Sequence, residues 1–237
     1  MSGPDLHATM GELLEFLREK YGDPMRGEEL GNEIGNRASH GDPLVDELVR
    51  AMLQWEAQHA QARNAYDRIL GTFVDYNELR AALGEQIVEA LGPRYPRAQE
   101  RAERLRLALT AIFEREDALS LAHLRDSPKR EARAYVESLE ALPPFAAARV
   151  VLLGLGGHAF PLDGRLVGAL VKAGLIDKDD EPDAVSGRIE RAVRAGEARE
   201  AYELLELWSA DEAKGFKINA GGRKPPKRRA AKQASAE

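Results

Sequence analysis

The chain contains no cysteine among its 237 residues. Disulfide bonds, thiolate metal sites, ligation of an iron–sulfur cluster by cysteine and cysteine nucleophiles are therefore excluded. The N-terminal residues have no basic segment followed by an apolar run, and no later run approaches the roughly 20 apolar residues that cross a bilayer. We expect no membrane partner and no bound cofactor. The expected location is the cytoplasm, with association with the nucleoid if the source is bacterial.

Basic charge is scarce in most of the sequence and concentrated at its end. From Ala213 onward there are eight Lys or Arg residues and one Glu, which leaves 26 basic against 39 acidic residues before it, a balance of −13. Such an acidic body argues against a polyanion-binding surface that covers the whole protein, so any nucleic-acid site must be local. Residues 213–237 are predicted to be a disordered basic tail, which either holds DNA nonspecifically or is simply solvated.

Helical periodicity dominates, and neither strand-type alternation nor an internal repeat is present. The pattern predicts an all-α protein of roughly ten helices. Met10 to Tyr21 forms an N-terminal helix, which an irregular arm follows up to residue 41. Asp42 and Pro43 match the N-cap and first-turn positions of a helix, and Ala98 to Glu116 is a clear amphipathic helix.

One further helix is predicted from Glu78 to Leu91. Its apolar residues Leu79, Leu83 and Ile87 follow strict i, i+4 spacing up to Leu91, which is the spacing of a single buried helical face.

The stretch from Leu139 to Asp163 combines a short turn, an apolar helix, a Gly-rich loop and a lone carboxylate. Asp163 lies between Leu162 and Gly164, where it can cap the following helix or face a cleft, and the two roles are compatible. The five histidines are scattered without metal-ligand spacing, so no metal site is predicted.

This stretch resembles the helix-hairpin-helix and following loop of the endonuclease III superfamily of base-excision DNA glycosylases. The family pattern is LPGVGxKTA, an apolar helix, a loop and VDTH. Here LEALPPFAA stands at the hairpin, Val150 to Leu153 at the helix, and Leu162-Asp163 at the VD pair. Hydrophobic agreement extends from about Asp42 to Trp208.

The resemblance implies an all-α, two-lobed fold of the helix-hairpin-helix DNA glycosylase type. One lobe would comprise residues 42–157, with the degenerate hairpin. The other would comprise residues 158–212 packed with the N-terminal helix of residues 1–41, and the cleft would lie between the lobes.

The resemblance also places the DNA contacts of the hairpin on Ala141, Leu142 and Pro143. The family uses glycines at the first and third of these positions, so that backbone N–H groups approach a phosphate. Pro143 has no N–H and a fixed φ, so we expect a hairpin of altered shape with weak phosphate or metal affinity. The alternative is that the segment is merely a helix–turn–helix connection, with Pro144 at the first helical position.

The catalytic Lys of bifunctional family members is replaced by Phe145, so AP lyase chemistry by that route is not expected. A monofunctional glycosylase needs a flipped base, an activated water and a carboxylate that stabilises positive charge on the sugar. Asp163 is the candidate for that catalytic carboxylate.

Three more residues are assigned to DNA contact by the resemblance. Trp55 stands in the turn that fills the gap left by a flipped base, although a helical Trp is more often part of a core. Arg165 follows the carboxylate and either reaches a phosphate or is a solvated cation. Arg149, on the helix after the hairpin, completes the set.

The resemblance favours a monomeric DNA repair protein that binds damaged or mismatched double-stranded DNA and, if active, hydrolyses the N-glycosidic bond without a lyase step. The main alternative is a catalytically inactive helix-hairpin-helix module that binds DNA or a protein. A third is an architectural protein that depends on its basic tail. An exposed Asp163 in a cleft beside a positive rim favours the enzyme, and an Asp163 buried in a cap with an acidic rim favours the inactive module.

Overall fold

The computed structural model describes residues 6–24 and 41–218, and in these ranges all regular structure is helical. The predicted all-α class is confirmed. The eleven α-helices of the described ranges are α1 Leu6–Tyr21, α2 Pro43–Gln54, α3 His59–Thr72, α4 Tyr76–Ala81, α5 Gly84–Leu91, α6 Ala98–Glu116, α7 Lys129–Glu137, α8 Pro144–Arg149, α9 Gly164–Ala173, α10 Pro182–Ala192 and α11 Ala198–Ala210. Short 3-10 turns at Ala122–Arg125 and Ala195–Glu197 precede α7 and α11.

The helix ends follow local chemistry that the sequence displays. Asp42 caps α2 by accepting the N–H of Leu44 at 2.7 Å, and Pro43 occupies the first turn. The bounds predicted for α6 are confirmed, and its two ends lie at residues in the left-handed conformation, Arg97 with φ 51° and Asp117 with φ 54°.

Buried apolar side chains form two clusters. The first is built from α2 to α8 and runs from Leu44 to Ala159. The second is built from α1 and α9 to α11, and it also takes Phe145 and Leu152 from the segment that leads out of the hairpin. Because α1 packs against α10 and α11, the N-terminal helix joins the C-terminal helices. The predicted lobe boundary at residue 157 stays a prediction.

The segment after the hairpin changes helical type along its length. Helix α8 is followed by a π-turn at Val150–Gly154, in which the N–H of Leu155 donates to the carbonyl of Val150 at 3.0 Å. The wider turn shifts the side chains of the following residues around the helix axis. Apolar residues of this segment thereby reach both clusters.

The prediction of a single helix from Glu78 to Leu91 is wrong, because the segment forms two helices, α4 and α5. Ala82 and Leu83 are extended, with ψ values of 152° and 146°, and α5 starts anew at Gly84. The side chain of Gln86 accepts the N–H of Leu83 at 2.8 Å and caps the second helix. Leu83 consequently lies outside the core, with 65% of its surface exposed.

The tail predicted from Ala213 also needs correction at its start. Ala213 is buried, Phe216 packs on Phe16 with ring centroids 5.5 Å apart, and the N–H of Ile218 donates to the carbonyl of Ala173 at 2.8 Å. The packed chain therefore extends to Ile218. The rest of the predicted tail and the predicted arm at residues 25–40 lie outside the described residues.

No helix in the described ranges has the length and apolar character that a bilayer crossing requires.

Candidate functional site

Asp163 is the N-cap of α9, and both of its carboxylate oxygens are occupied. Oδ1 accepts the N–H groups of Arg165 at 3.1 Å and Leu166 at 3.2 Å. Oδ2 accepts the N–H of Glu56 at 2.8 Å and Nε of Arg165 at 2.9 Å. The capping interpretation of Asp163 therefore describes its hydrogen bonds, and the carboxylate also ties α9 to the turn after α2.

Two neighbouring interactions close this site. The Glu56 carboxylate accepts the N–H of Gly164 at 2.8 Å. Arg165 extends across Asp163 and pairs with both oxygens of Glu206 on α11, at 3.1 and 3.2 Å. The Asp163 side chain consequently has no exposed surface, and that of Arg165 is only 11% exposed. A substrate cannot touch Asp163 unless these partners move.

The charges around Asp163 act in opposite directions on its carboxyl group. Burial raises the pKa of Asp163 above its ordinary value, the positive charge of Arg165 opposes this change, and the negative charge of Glu206 adds to it. Burial and Glu206 therefore outweigh Arg165 and the capping hydrogen bonds in this buried site.

The hairpin between α7 and α8 turns without glycine. Ala141 has a φ of 62°, which lies in the left-handed region that glycine favours. Its carbonyl accepts Nη1 of Arg104 on α6 at 3.2 Å. Pro143, with φ −62°, leads into α8 and offers no N–H to a phosphate, while Leu142 is half-buried beside it.

Trp55 ends α2 at the boundary of the two clusters, and arginines surround its ring. The guanidinium carbons of Arg97, Arg101 and Arg104 lie 5.0, 5.7 and 5.3 Å from the ring centre. Arg97 is exposed and Arg104 is 35% exposed at the side chain, and both pair with Glu100 at 3.0 Å. We call Trp55, Arg97, Arg104, Ala141 and Leu142 the Trp55 surface.

Arg101 fixes the backbone on which Trp55 is placed. Its guanidinium is fully buried and donates to the carbonyls of Met52, Leu53 and Trp55, which are the free acceptors at the end of α2. Burial lowers the pKa of Arg101 to about 10, so the group stays protonated at neutral pH. The hydroxyl of Tyr95 adds a bond to the Leu53 carbonyl at 2.6 Å.

The structure brings together most of the residues predicted for the site. Arg104 joins Trp55 to the hairpin at Ala141, and the turn that follows Trp55 touches Asp163 through the N–H of Glu56. Arg165 shares the Asp163 site.

Arg149 and Phe145 lie elsewhere. The Arg149 side chain is only 5% exposed and its Nη1 lies 2.7 Å from Oε1 of Glu47, so its position gives no support to the predicted DNA contact. Phe145 is buried in the second cluster, where it fills apolar space.

Comparison with solved structures identifies the architecture. A trapped endonuclease III–DNA covalent intermediate matches with a TM-score of 0.62 at 13% identity, over 85% of this chain and 85% of that one. The 3-methyladenine DNA glycosylase of H. pylori, bound to 1,N6-ethenoadenine, matches with a TM-score of 0.60 at 13% identity, over 86% and 98%. The chain has the helix-hairpin-helix DNA glycosylase fold.

A thermostable thymine-DNA glycosylase shares this fold, with a TM-score of 0.56 at 17% identity over 87% of this chain and 86% of that one. No protein-family model matches the sequence, and a search of curated proteins finds no match. These similarities confirm the helix-hairpin-helix DNA glycosylase fold that the resemblance of the hairpin segment predicts.

Four residues that contact the candidate site were not predicted from the sequence. Glu56 and Glu206 lie beside Asp163, and Arg101 and Arg104 lie beside Trp55. Their partners are far away along the chain, as the 107-residue separation of Glu56 and Asp163 illustrates. The sequence carries one usable signal for them. Arg97, Arg101 and Arg104 recur at helical spacing along the start of α6, which puts them on one face.

Proposed function

We propose that the chain binds double-stranded DNA through the Trp55 surface and, in the closed arrangement of Asp163, does not excise bases. The observation that carries this proposal is the half-buried Trp55 ring set among guanidinium groups next to the hairpin. The proposal includes no AP lyase step, because Phe145 stands where the nucleophilic Lys would be needed.

The chemistry of the Trp55 surface suits a duplex. Aromatic rings stack on bases or wedge between them, while guanidinium groups pair with phosphate oxygens. Arg97 and Arg104 share Glu100 as their present partner, so a phosphate would exchange with an exposed carboxylate. Exposed ion pairs of this kind contribute about 1 kcal/mol or less, and their exchange is therefore inexpensive.

Preorganisation supports the same proposal. Arg101 and Tyr95 hold the end of α2 through backbone carbonyls, so the position of Trp55 is set before DNA arrives. Ordering a side chain on binding costs about 0.5–1.5 kcal/mol, and a ring that is already held avoids much of that cost.

A second candidate function is monofunctional base excision by Asp163. One contact favours it: the Oδ2 atom of Asp163 accepts the N–H of Glu56, the residue next to Trp55. A movement of Trp55 into the base stack would displace the neighbouring Glu56, break its hydrogen bond to Asp163 and thereby expose the Asp163 carboxylate. The inactive module and the glycosylase thus differ in whether the Glu56 turn moves when DNA binds.

DNA binding is tested by fluorescence anisotropy with a labelled duplex at low and moderate salt. We expect Trp55→Ala to weaken binding about tenfold, since loss of aromatic stacking costs about 1–3 kcal/mol per base. Arg104→Gln should weaken binding and reduce its salt dependence. The matched control is Arg130→Gln, an exposed arginine on α7 outside the Trp55 surface. Equal affinities for wild type and Trp55→Ala would overturn the proposal.

Base excision is tested separately with duplexes that carry uracil, an oxidised pyrimidine, an alkylated purine or mismatched adenine, beside the Asp163→Asn variant. The proposal expects intact duplexes with both proteins. Loss of a base with wild type but not with Asp163→Asn would establish the glycosylase instead.

A further inference from the structure

A groove runs between α5 and α6. Val88 and Pro93 line it from α5 and the turn after α5, and Gln99, Glu103 and Arg106 line it from α6. Its volume is about 550 Å³, within the roughly 300–1,000 Å³ of ligand sites in proteins. Most of its accessible lining is apolar. We call this space the α5–α6 groove.

The α5–α6 groove lies on the opposite side of α6 from the Trp55 surface. Arg97, Arg101 and Arg104 approach the Trp55 ring. At about 3.6 residues per turn, these arginines lie half a turn around the helix axis from the α6 residues that line the groove. The groove is therefore separate from the proposed DNA contact.

Two exposed apolar side chains border the groove. Leu83 directly precedes the lining residue Gly84, and Leu107 directly follows the lining residue Arg106. They are two of the three large apolar side chains that are exposed within residues 6–24 and 41–218. Exposed apolar side chains beside an apolar groove are typical of a surface that another segment covers.

The rim of the groove is acidic. Glu85, Glu89 and Glu103 are exposed lining residues, and none of them forms an ion pair with another described residue. Arg106 is the one basic residue of the lining, and its Nε is buried without a hydrogen-bond partner in the described part of the chain. An occupant that combines apolar groups, positive charge and backbone carbonyls suits this lining.

The C-terminal segment of the same chain has this composition. Residues 219–237 contain six Lys or Arg and one Glu, and residues 223–229 read RKPPKRR. Two apolar proline rings therefore stand between basic side chains, and proline has no N–H that an apolar groove would leave unpaired. Residues 25–40, which also lie outside the described ranges, have two Arg and three Glu and lack the complementary charge.

The length of the C-terminal segment permits docking on its own molecule. Ile218, the last described residue, donates its N–H to the carbonyl of Ala173. An extended chain from Ile218 to Arg229 spans about 36 Å, comparable with the width of about 40 Å of a compact domain of this size. A tethered segment has an effective concentration in the millimolar range, so individually weak surface contacts are sufficient to hold it.

We propose that residues 223–229 dock in the α5–α6 groove of the same molecule. The proline rings cover the apolar floor, and the basic side chains on either side pair with the three carboxylates of the rim. Docking there holds the basic segment away from the Trp55 surface. The inference goes beyond the proposed DNA binding and does not rest on it.

Paramagnetic relaxation in the full-length protein tests this docking. Because the chain has no Cys, Ala230→Cys provides a single attachment point for a nitroxide beside the basic residues. At low salt we expect the nitroxide to remove most of the amide signals of Val88 and Glu103. The signals should return at high salt, because screening weakens exposed charge pairs.

A matched pair of variants assigns the effect to the groove. The groove variant combines Glu85→Gln, Glu89→Gln and Glu103→Gln. The control variant neutralises three exposed carboxylates outside the groove, Glu12→Gln, Glu114→Gln and Glu131→Gln. We expect the Val88 signal to recover several-fold in the groove variant and to stay broadened in the control. Amide spectra that match wild type away from the substitutions establish that both variants are folded.

Docking between two copies is separated by a mixed sample. Nitroxide-labelled protein of natural isotope abundance is added to isotope-labelled protein without a nitroxide. Broadening of Val88 in this mixture as strong as in the singly labelled chain would assign the groove to the tail of a second copy and overturn the proposal. Unchanged groove signals, or equal broadening in the groove variant and wild type, would also overturn it. The samples contain no DNA, so the result is independent of the Trp55 surface.

Discussion

Two aspartates of this chain cap helices in the same way but occupy opposite electrostatic environments. At Asp42, Oδ1 caps α2 while Oδ2 accepts the Ser120 hydroxyl at 2.6 Å and the N–H of Leu121 at 2.9 Å. At Asp163, Oδ1 caps α9 while Oδ2 ties down the Glu56 turn. In each case one oxygen serves the helix and the other joins it to a distant segment.

The difference lies in what surrounds the carboxylate. Burial acts to raise the pKa of Asp42, but hydrogen bonds from Ser120, Leu44 and Leu121 together lower it below the ordinary value. At Asp163 burial and the charge of Glu206 prevail, and the pKa is raised. A structural cap needs only the first environment. The second holds a buried carboxylate whose ionised form is disfavoured by burial and by the charge of Glu206.

Removal of the two carboxylates should have unequal effects on stability. Asp163→Ala leaves the N–H of Glu56 unpaired and Arg165 with one carboxylate fewer, in a site without solvent. We expect a loss of about 3 kcal/mol in the free energy of unfolding at pH 7, because buried groups lose their partners. Urea denaturation followed by circular dichroism measures it. A loss no larger than that of Asp42→Ala would remove the distinction between the two caps.

Asp42→Ala should cost about 2 kcal/mol, near the upper end for an N-cap because the tie to Ser120 and Leu121 is lost as well. The same urea titration measures it. Ser120→Ala is the matched control, since it removes one bond to Asp42 and keeps the cap; its cost should be clearly smaller. Equal costs would mean that the cap itself contributes little.

The pH dependence of the two caps should have opposite signs. The pKa of Asp42 is lowered by folding, so its stabilisation is present above its unfolded pKa and is lost as pH falls through its folded pKa. The pKa of Asp163 is raised, so its proton-linked stabilisation is present below its unfolded pKa and is lost as pH rises through its folded pKa.

Unfolding free energies between pH 3 and pH 7 for wild type, Asp42→Asn and Asp163→Asn measure this contrast. The difference between wild type and Asp42→Asn should shrink on acidification, and that between wild type and Asp163→Asn should grow. Parallel curves for the two variants would show that the two environments are equivalent.

Gly164→Ala should have the smallest destabilising effect of these substitutions and make Asp163 more accessible. A Cβ at residue 164 would lie 2.9 Å from Oε1 of Glu56, the far end of a flexible side chain, so the carboxylate must move away. We expect a cost of about 0.5 kcal/mol, the low end for one hydrogen bond, and faster hydrogen exchange of the Glu56 amide. Gly168→Ala on the same helix has open space around its Cβ and should stabilise α9 by up to about 1 kcal/mol. An unchanged Glu56 amide would show that Glu56 does not close the site.

The helices and the capping role of Asp163 could be predicted because their causes are local. The Asp42-Pro43 pair predicts the start of α2, and the spacing of the apolar residues predicts α6, each from a few neighbouring residues. The break at Ala82 and Leu83 could not be predicted, because the i, i+4 spacing of the apolar residues continues across it and the cap that starts α5 comes from Gln86. Competition between one long helix and two short ones is decided by packing, which spacing alone does not encode.

The candidate site divides along the same line. The sequence shows which residues are carboxylates or arginines and what chemistry each could perform. It does not show how exposed those side chains are in the folded protein. The sequence predicts that Arg149 is a cation near the hairpin. In the structure its side chain is buried and paired with Glu47, which is about 100 residues away in the chain. The sequence predicts that Asp163 is a candidate catalytic carboxylate. The contacts of Glu56 with Gly164 and of Glu206 with Arg165, which cover the Asp163 side chain, are visible only in the structure.

The left-handed turn at Ala141 has a consequence for the order of folding. An L-residue other than glycine costs about 1–2 kcal/mol in this conformation, so the hairpin is disfavoured when only its own residues support it. The bond from Arg104 to the Ala141 carbonyl comes from α6, 37 residues away, and it is available only once α6 is in place. We therefore expect the hairpin to take its shape late, as a product of the surrounding packing, and to be absent from an isolated peptide of residues 129–154.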